Sequence, residues 1–180
     1  MFQDAIALVM HPKEFMTARA EAAPPLMSTL TNYVAILAVI PFLFTLIGEA
    51  AFHKGGDVAG YAVVAGIIGY IFAIVSFFVV SYIVSMLAPR FASSTDQGKA
   101  AKLVSYVYTP VYLIAILNIV PSLQILSFLG LLYGLYIFWI GLPIVLKTPK
   151  DKVMAYFITT LVVTFIVYFI LALIVAALAH

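Results

Sequence analysis

The carboxy-terminal third of this chain holds two uncharged runs, Val120–Leu146 and Val153–Ala179, separated by the basic hinge Lys147-Thr148-Pro149-Lys150-Asp151-Lys152. Roughly 20 apolar residues at ~1.5 Å rise cross the ~30 Å hydrocarbon core of a bilayer, so each run is long enough to span it. A segment dissolved in lipid must pair its backbone polar groups within the protein, which restricts it to helices or a closed barrel. The apolar runs lack the period-two alternation of barrel strands. At 66% hydrophobic and 9% charged residues, the whole chain has too little polar surface for a water-facing globule of its size. The expected fold is therefore all-α, a polytopic membrane protein with five transmembrane helices in one bundle.

Spans are expected at about residues 29–48, 61–88, 103–120, 123–146 and 153–179, preceded by a partly helical cytoplasmic segment over residues 1–28. Basic residues fix the orientation. Lys13 and Arg19 precede the first span, Arg90, Lys99 and Lys102 separate the second from the third, and Lys147, Lys150 and Lys152 precede the fifth, with only Lys54 on the opposite side. Basic loops stay in the cytoplasm, which puts the amino terminus inside and His180 outside. The third and fourth spans meet at Asn118-Ile119-Val120-Pro121-Ser122, a set of turn formers expected to make a tight helical hairpin rather than one long kinked helix. Asp4 precedes any basic residue and the run Ala5–Met10 is short, so the start does not read as a cleaved signal peptide.

Before the first span, Phe2, Ala5, Ile6 and Val9 recur at helical spacing until His11-Pro12 interrupts, and Pro24-Pro25 closes the segment. Two readings stand side by side. One is an interfacial helix with Phe15 and Met16 dipping inward, and the other is a short helix capping the bundle.

No Asp, Glu, Lys, Arg or His falls inside the expected spans, with Glu49 at the outer edge of the first. Ion-coupled pumps and proton relays place such groups near the midplane, and hydrolysis needs a nucleophile beside a base. Neither pattern is present, and no catalytic residue is expected. The absence of cysteine removes disulfides, thiolate metal sites and a catalytic thiol. A net charge of +2 gives no basic patch for nucleic acid. Glu49, His53 and Asp57 step by four, but Gly55-Gly56 interrupts a helix there. The cluster reads as a solvated loop, and neither metal nor cofactor is expected. The surface charges Asp96, Lys99, Asp151 and Lys152 read as topology signals rather than as a site acting on lipid headgroups.

Small residues mark helix seams: Gly130-xxx-Gly134 in the fourth span, Gly66 and Gly69 in the second, Ala172-xxx-Ala176 in the fifth. They let backbones approach closely, either inside the bundle or towards a partner. Ser76, Ser81 and Ser85 with Thr159, Thr160 and Thr164 form a possible polar path, although such hydroxyls usually bond back to their own helix. Pro41, Pro110 and Pro143 each free a backbone carbonyl within a span, and tyrosines surround two of them.

The string Tyr106-Val107-Tyr108-Thr109-Pro110, then Tyr133-Gly134-Leu135-Tyr136, Gly141-Leu142-Pro143 and Lys150-Asp151-Lys152-Val153, resembles the Yip family of Rab-GTPase-interacting membrane proteins. His11-Pro12-Lys13-Glu14-Phe15, Ile40-Pro41 and Ile47-Gly48 are most similar to its bacterial inner-membrane branch. The resemblance implies a five-span bundle with a cytoplasmic amino terminus. It marks Tyr106, Thr109, Pro110, Gly130, Gly134, Gly141 and Pro143 as motif or packing positions, with Ser105 where the family usually has Gly. Its eukaryotic members are linked to vesicle traffic through Rab GTPases, but the acidic-Leu-aromatic-Gly-Pro motif that they carry is not found here.

The functional expectation is a non-enzymatic membrane protein acting by association, as an adaptor or organiser of membrane proteins or lipids. Its partners would be the bilayer itself and a membrane protein or a second copy. The expected location is the bacterial inner membrane, with the carboxy terminus periplasmic. The alternative is a channel or transporter for a small solute or ion, using carbonyls freed at Pro110 and Pro143.

Overall fold

A computed structural model describes residues 2–52 and 58–178. Within them five helices are long and apolar enough to cross a membrane: Leu26–Gly48, Ala62–Phe91, Gln97–Ile119, Ser127–Val145 and Val153–Leu173. They are called the first to fifth spans below. Two short helices precede them, α1 (Phe2–Met10) and α2 (Pro12–Ala18), and no strand occurs among the described residues.

The third span is the centre of the bundle. It begins at Gln97, six residues before the expected boundary, because Asp96 caps it by accepting from the amides of Gly98 (2.8 Å) and Lys99 (3.2 Å). Such a cap satisfies the orphan amides of a first turn and so lets helix propagate through polar sequence. Lys99 and Lys102 consequently lie on the span's first turns rather than in a loop. At the far end α-helix gives way to 3₁₀ turns over Ala115–Ile119 and Pro121–Leu126, with Val120 extended between them. This is the helical hairpin that the turn-forming residues imply, and the Ser127 hydroxyl closes it by donating to Asn118 Oδ1 at 3.0 Å.

The third and fourth spans then run antiparallel in close contact. A Cβ built at Gly134 would lie 2.5 Å from the Val107 carbonyl oxygen, and one at Gly130 would lie 3.0 Å from that of Pro110. Only glycine lets the backbones meet this closely. The first span continues as helix to Phe52 and packs on the hairpin, where Gly48 abuts the Asn118 carbonyl. It contains a π-helical turn at Leu30–Val34 and restarts at Val39, two residues before Pro41. The second span crosses as one helix, Val58–Leu87, and ends in a 3₁₀ turn with Ala92 left-handed. The fifth packs on the second and fourth.

Most of the core side chains belong to the half of the bundle nearer α2: Phe77, Val84, Leu103, Ile137, Leu142, Leu146 and Tyr156 are almost completely buried. Outside it, Val64, Ile68, Phe72, Phe128, Phe165 and Phe169 remain more than half exposed. In water such a surface would drive aggregation, whereas in a bilayer it is the solvated face.

Candidate functional site

The sequence motif Tyr106–Pro110 lies in the middle of the third span, and the amino-terminal segment folds back against it. Phe15 of α2 meets Tyr106 edge-to-face at 5.5 Å between ring centres, and the Arg19 guanidinium covers the other side of Phe15 at 4.1 Å. Met16 is fully buried near Gly141. The α1 helix runs deeper, and the Tyr133 hydroxyl donates to the Val9 carbonyl at 2.7 Å. Asp4 and Arg19 pair at 2.8 Å, tying α1 to the end of α2. The capping arrangement is the one seen: α2 covers the bundle with Phe15 and Met16, while α1 leaves Phe2, Ile6 and Met10 exposed along one side.

Lys102 holds the segment in place. Only 4% exposed, it donates from Nζ to the Arg19 carbonyl at 2.6 Å and to that of Ala22. A buried ammonium requires such partners, and these two carbonyls lie where α2 has ended and cannot use them itself. Glu21 stands outside the clasp between Lys147 (3.0 Å) and Lys99 (3.7 Å). The hydrogen bond and charge of Lys147, with a smaller contribution from Lys99, hold its carboxyl below the usual value of 4.5. The loops following the second and fourth spans are joined as well. Ser93 and Thr148 share a hydrogen bond of 2.8 Å, and the Ser94 amide donates to the Leu146 carbonyl.

One turn below Tyr106, Thr109 is fully buried and its hydroxyl donates to the Ser105 carbonyl at 2.9 Å. With that proton committed, the Tyr33 hydroxyl is the donor in the 2.9 Å bond between Tyr33 and Thr109, which links the first and third spans. Tyr33, Asn32, Ser28, Tyr106, Lys102 and Asp4 line a polar cavity of about 310 Å³ that faces the amino-terminal segment.

The motif positions do not converge on a reaction centre. Tyr106, Thr109 and Pro110 line the inner side of the third span. Gly130 and Gly134 receive its backbone, Gly141 receives Leu103 and Met16, and Pro143 lies in the last turn of the fourth span. Asp96 is used as a cap and Lys99 as an ion-pair partner. Asp151 and Lys152 lie in the turn before the fifth span. His53 and Asp57 lie outside the described residues, as does the Glu49 side chain, and among the described residues no group of three metal-ligating side chains occurs.

Sequence reasoning overlooked Tyr33, and it read Lys102 only as a topology charge. The available signal for Lys102 was its neighbour Leu103, since a lysine adjoining an apolar run must lie against either headgroups or protein.

Five apolar helices clasped at one end define a multi-pass helical membrane protein. A family model, the Yip1 domain, matches residues 6–174. The chain belongs to the Yip1-domain family, and the match includes α2, most of α1 and all five spans. No curated protein and no solved structure gives a match.

Proposed function

We propose that this protein works by association, as a non-enzymatic adaptor or organiser of membrane proteins in the bacterial inner membrane, with its amino terminus cytoplasmic and its carboxy terminus periplasmic. The observation that carries this reading is Gly69. The seam glycines of the third and fourth spans are taken up by contacts within the chain, whereas a Cβ at Gly69 would meet nothing within 4 Å. Gly69 is exposed on the second span and lines, with Pro41, Thr45, Ala65 and Tyr70, a groove of about 200 Å³ between the first two spans. Ala65 and Gly69 are spaced as small-xxx-small, the pattern through which a second transmembrane helix approaches closely.

The test is crosslinking in native membranes, then purification in mild detergent and mass spectrometry. A stoichiometric partner or second copy is expected, and Gly69→Leu is expected to remove most of it while leaving a folded monomer. Undiminished recovery with Gly69→Leu would rule out this groove. Recovery of the bare chain from native membranes would rule out the association reading itself. Orientation is checked separately by a reporter fused after His180, which the proposal requires to be periplasmic.

A further inference from the structure

A second cavity, of about 200 Å³, lies within the bundle among the second, third, fourth and fifth spans. Its walls are mostly apolar, with Val80, Val107, Leu135 and Phe138 prominent, yet Thr160, Thr164 and Tyr168 of the fifth span and Tyr108 of the third also line it. Thr160 is 2% exposed, and neither threonine hydroxyl has a hydrogen-bond partner. A threonine in a helix ordinarily bonds back to the carbonyl four residues earlier. Thr109 and Thr31 of this same chain do so, at 2.9 and 3.0 Å. Thr160 and Thr164 do not, and they stand one turn apart beside the same space.

An unpaired hydroxyl is costly away from water, so the site calls for an occupant with a hydrogen-bonding atom. Water would serve the hydroxyls but leaves the apolar walls, which make up most of the lining, without contacts. The complement is a molecule that is mainly hydrocarbon with an oxygen at one end. The fifth span is anchored near its cytoplasmic end, where the Tyr156 hydroxyl donates to the Val84 carbonyl at 2.6 Å and its ring stacks on Phe91. Beyond Thr164, Phe165, Ile166, Phe169 and Ile170 are exposed.

We propose that this cavity holds a fatty acyl chain whose carboxyl or ester oxygen accepts hydrogen bonds from Thr160 and Thr164. The inference goes beyond the association reading and does not depend on it, since it concerns a cavity lined mainly by the third, fourth and fifth spans rather than the groove between the first two, and is tested without a protein partner.

The experiment uses the full chain reconstituted in phosphatidylcholine vesicles, with a palmitate probe carrying a photoreactive diazirine and an alkyne handle. Photolabelling is expected on peptides that line the cavity and is expected to fall by about tenfold with excess unlabelled palmitate or with Thr164→Leu, which fills the space. The paired change Thr160→Val with Thr164→Val keeps the shape and removes both hydroxyls. It is expected to weaken palmitate competition by at least about fivefold while leaving capture of a hydrocarbon probe without the carboxyl unchanged. Ile166→Leu, on the lipid side of the same helix, is expected to change nothing. A phosphatidylcholine bearing the same photoreactive chain separates the sources: cavity labelling that free palmitate does not displace assigns the site to a bilayer lipid. Labelling spread over the exposed Phe165 and Phe169 face, insensitive to excess palmitate, would overturn the proposal. If Thr164→Leu does not fold, the valine pair decides, and unchanged palmitate competition in that variant would overturn the proposal equally.

Discussion

The third and fifth spans are both apolar helices, yet they occupy opposite extremes of the bundle. In the third, 61% of the apolar stretch is buried by the rest of the protein and its mean hydropathy is 1.5; in the fifth the figures are 11% and 2.4. The less apolar helix is the core. In a soluble protein this order would be reversed, because burial there removes apolar surface from water. In lipid the surroundings are as apolar as a leucine side chain, so greasiness gives no reason to pack. Hydroxyls, lysine ammonium groups and the close backbone approach that glycines permit decide which helix is enclosed, since lipid supplies neither the hydrogen-bond partners nor the opposing backbone. The third span carries Lys102, Ser105, Thr109 and a surface that accepts two glycines, and all of these are engaged.

The comparison can be broken most severely at the seam. Gly134→Leu places a side chain where the Val107 carbonyl already stands and is expected to cost ~3 kcal/mol or more, beyond the usual range for overpacking, because backbone cannot yield. Val162→Leu on the exposed face of the fifth span is expected to be silent. Thermal unfolding in detergent of the two variants checks this, and equal midpoints would refute the contrast.

Lys102→Met comes next. It preserves much of the stem and removes the ammonium that donates to the Arg19 and Ala22 carbonyls, leaving Arg19 only the Ala22 amide as a donor, a loss of about 1–3 kcal/mol for a hydrogen-bonded charged group. Trypsin cleavage at Lys13 and Arg19 in inside-out vesicles is expected to become rapid while the five spans stay intact. Slow cleavage, as in the parent, would mean that the aromatic contacts alone hold the segment.

A smaller effect is expected within the third span. Thr109→Val and Tyr33→Phe each remove the inter-helix bond, and a double-mutant cycle is expected to give a coupling of about 0.6 kcal/mol, typical for hydrogen bonds between membrane helices. A coupling of zero would show that the two hydroxyls are equally well served elsewhere.

The smallest effect concerns pH. Glu21 has its carboxyl lowered from 4.5 by Lys147 and Lys99, so its contribution is fully present above that value and is lost as pH falls through the lower folded value. Protease protection of the amino-terminal segment is expected to weaken below about pH 4.5, and Glu21→Gln should abolish that dependence. Because Glu21 is exposed, salt is expected to reduce the effect further.

The spans and the hairpin were legible in the chain because charge and length are properties of local sequence. Val153 as the start of the fifth span follows directly from the lysines before it. The start of the third span was not read, since its extension to Gln97 depends on Asp96 acting as a cap, and an aspartate after Ser93-Ser94-Thr95 fits a loop equally well. The site was less legible still. Tyr33 and Thr109 are 76 residues apart and Lys102 and Arg19 are 83 apart, and no spacing rule connects them. Gly130 and Gly134 were visible as a close-approach seam, but which helix fills it is a tertiary fact, and the answer, the third span, lies within the chain itself. The Gly69 surface could be told from that seam only when the neighbours of each glycine were known.

The bond from Tyr133 to Val9 joins residues 124 positions apart. At about 5–20 residues per second, a ribosome needs roughly 6 to 25 seconds after making Val9 to reach Tyr133. Throughout that interval the α1 residues around Val9, with Ile6 and Met10 exposed beside it, have no docking surface, because the helix that supplies it is not yet synthesised. A part of this molecule made well before its partner is thus late to find its place, and its maturation depends on whatever shields that greasy stretch until the fourth span is complete.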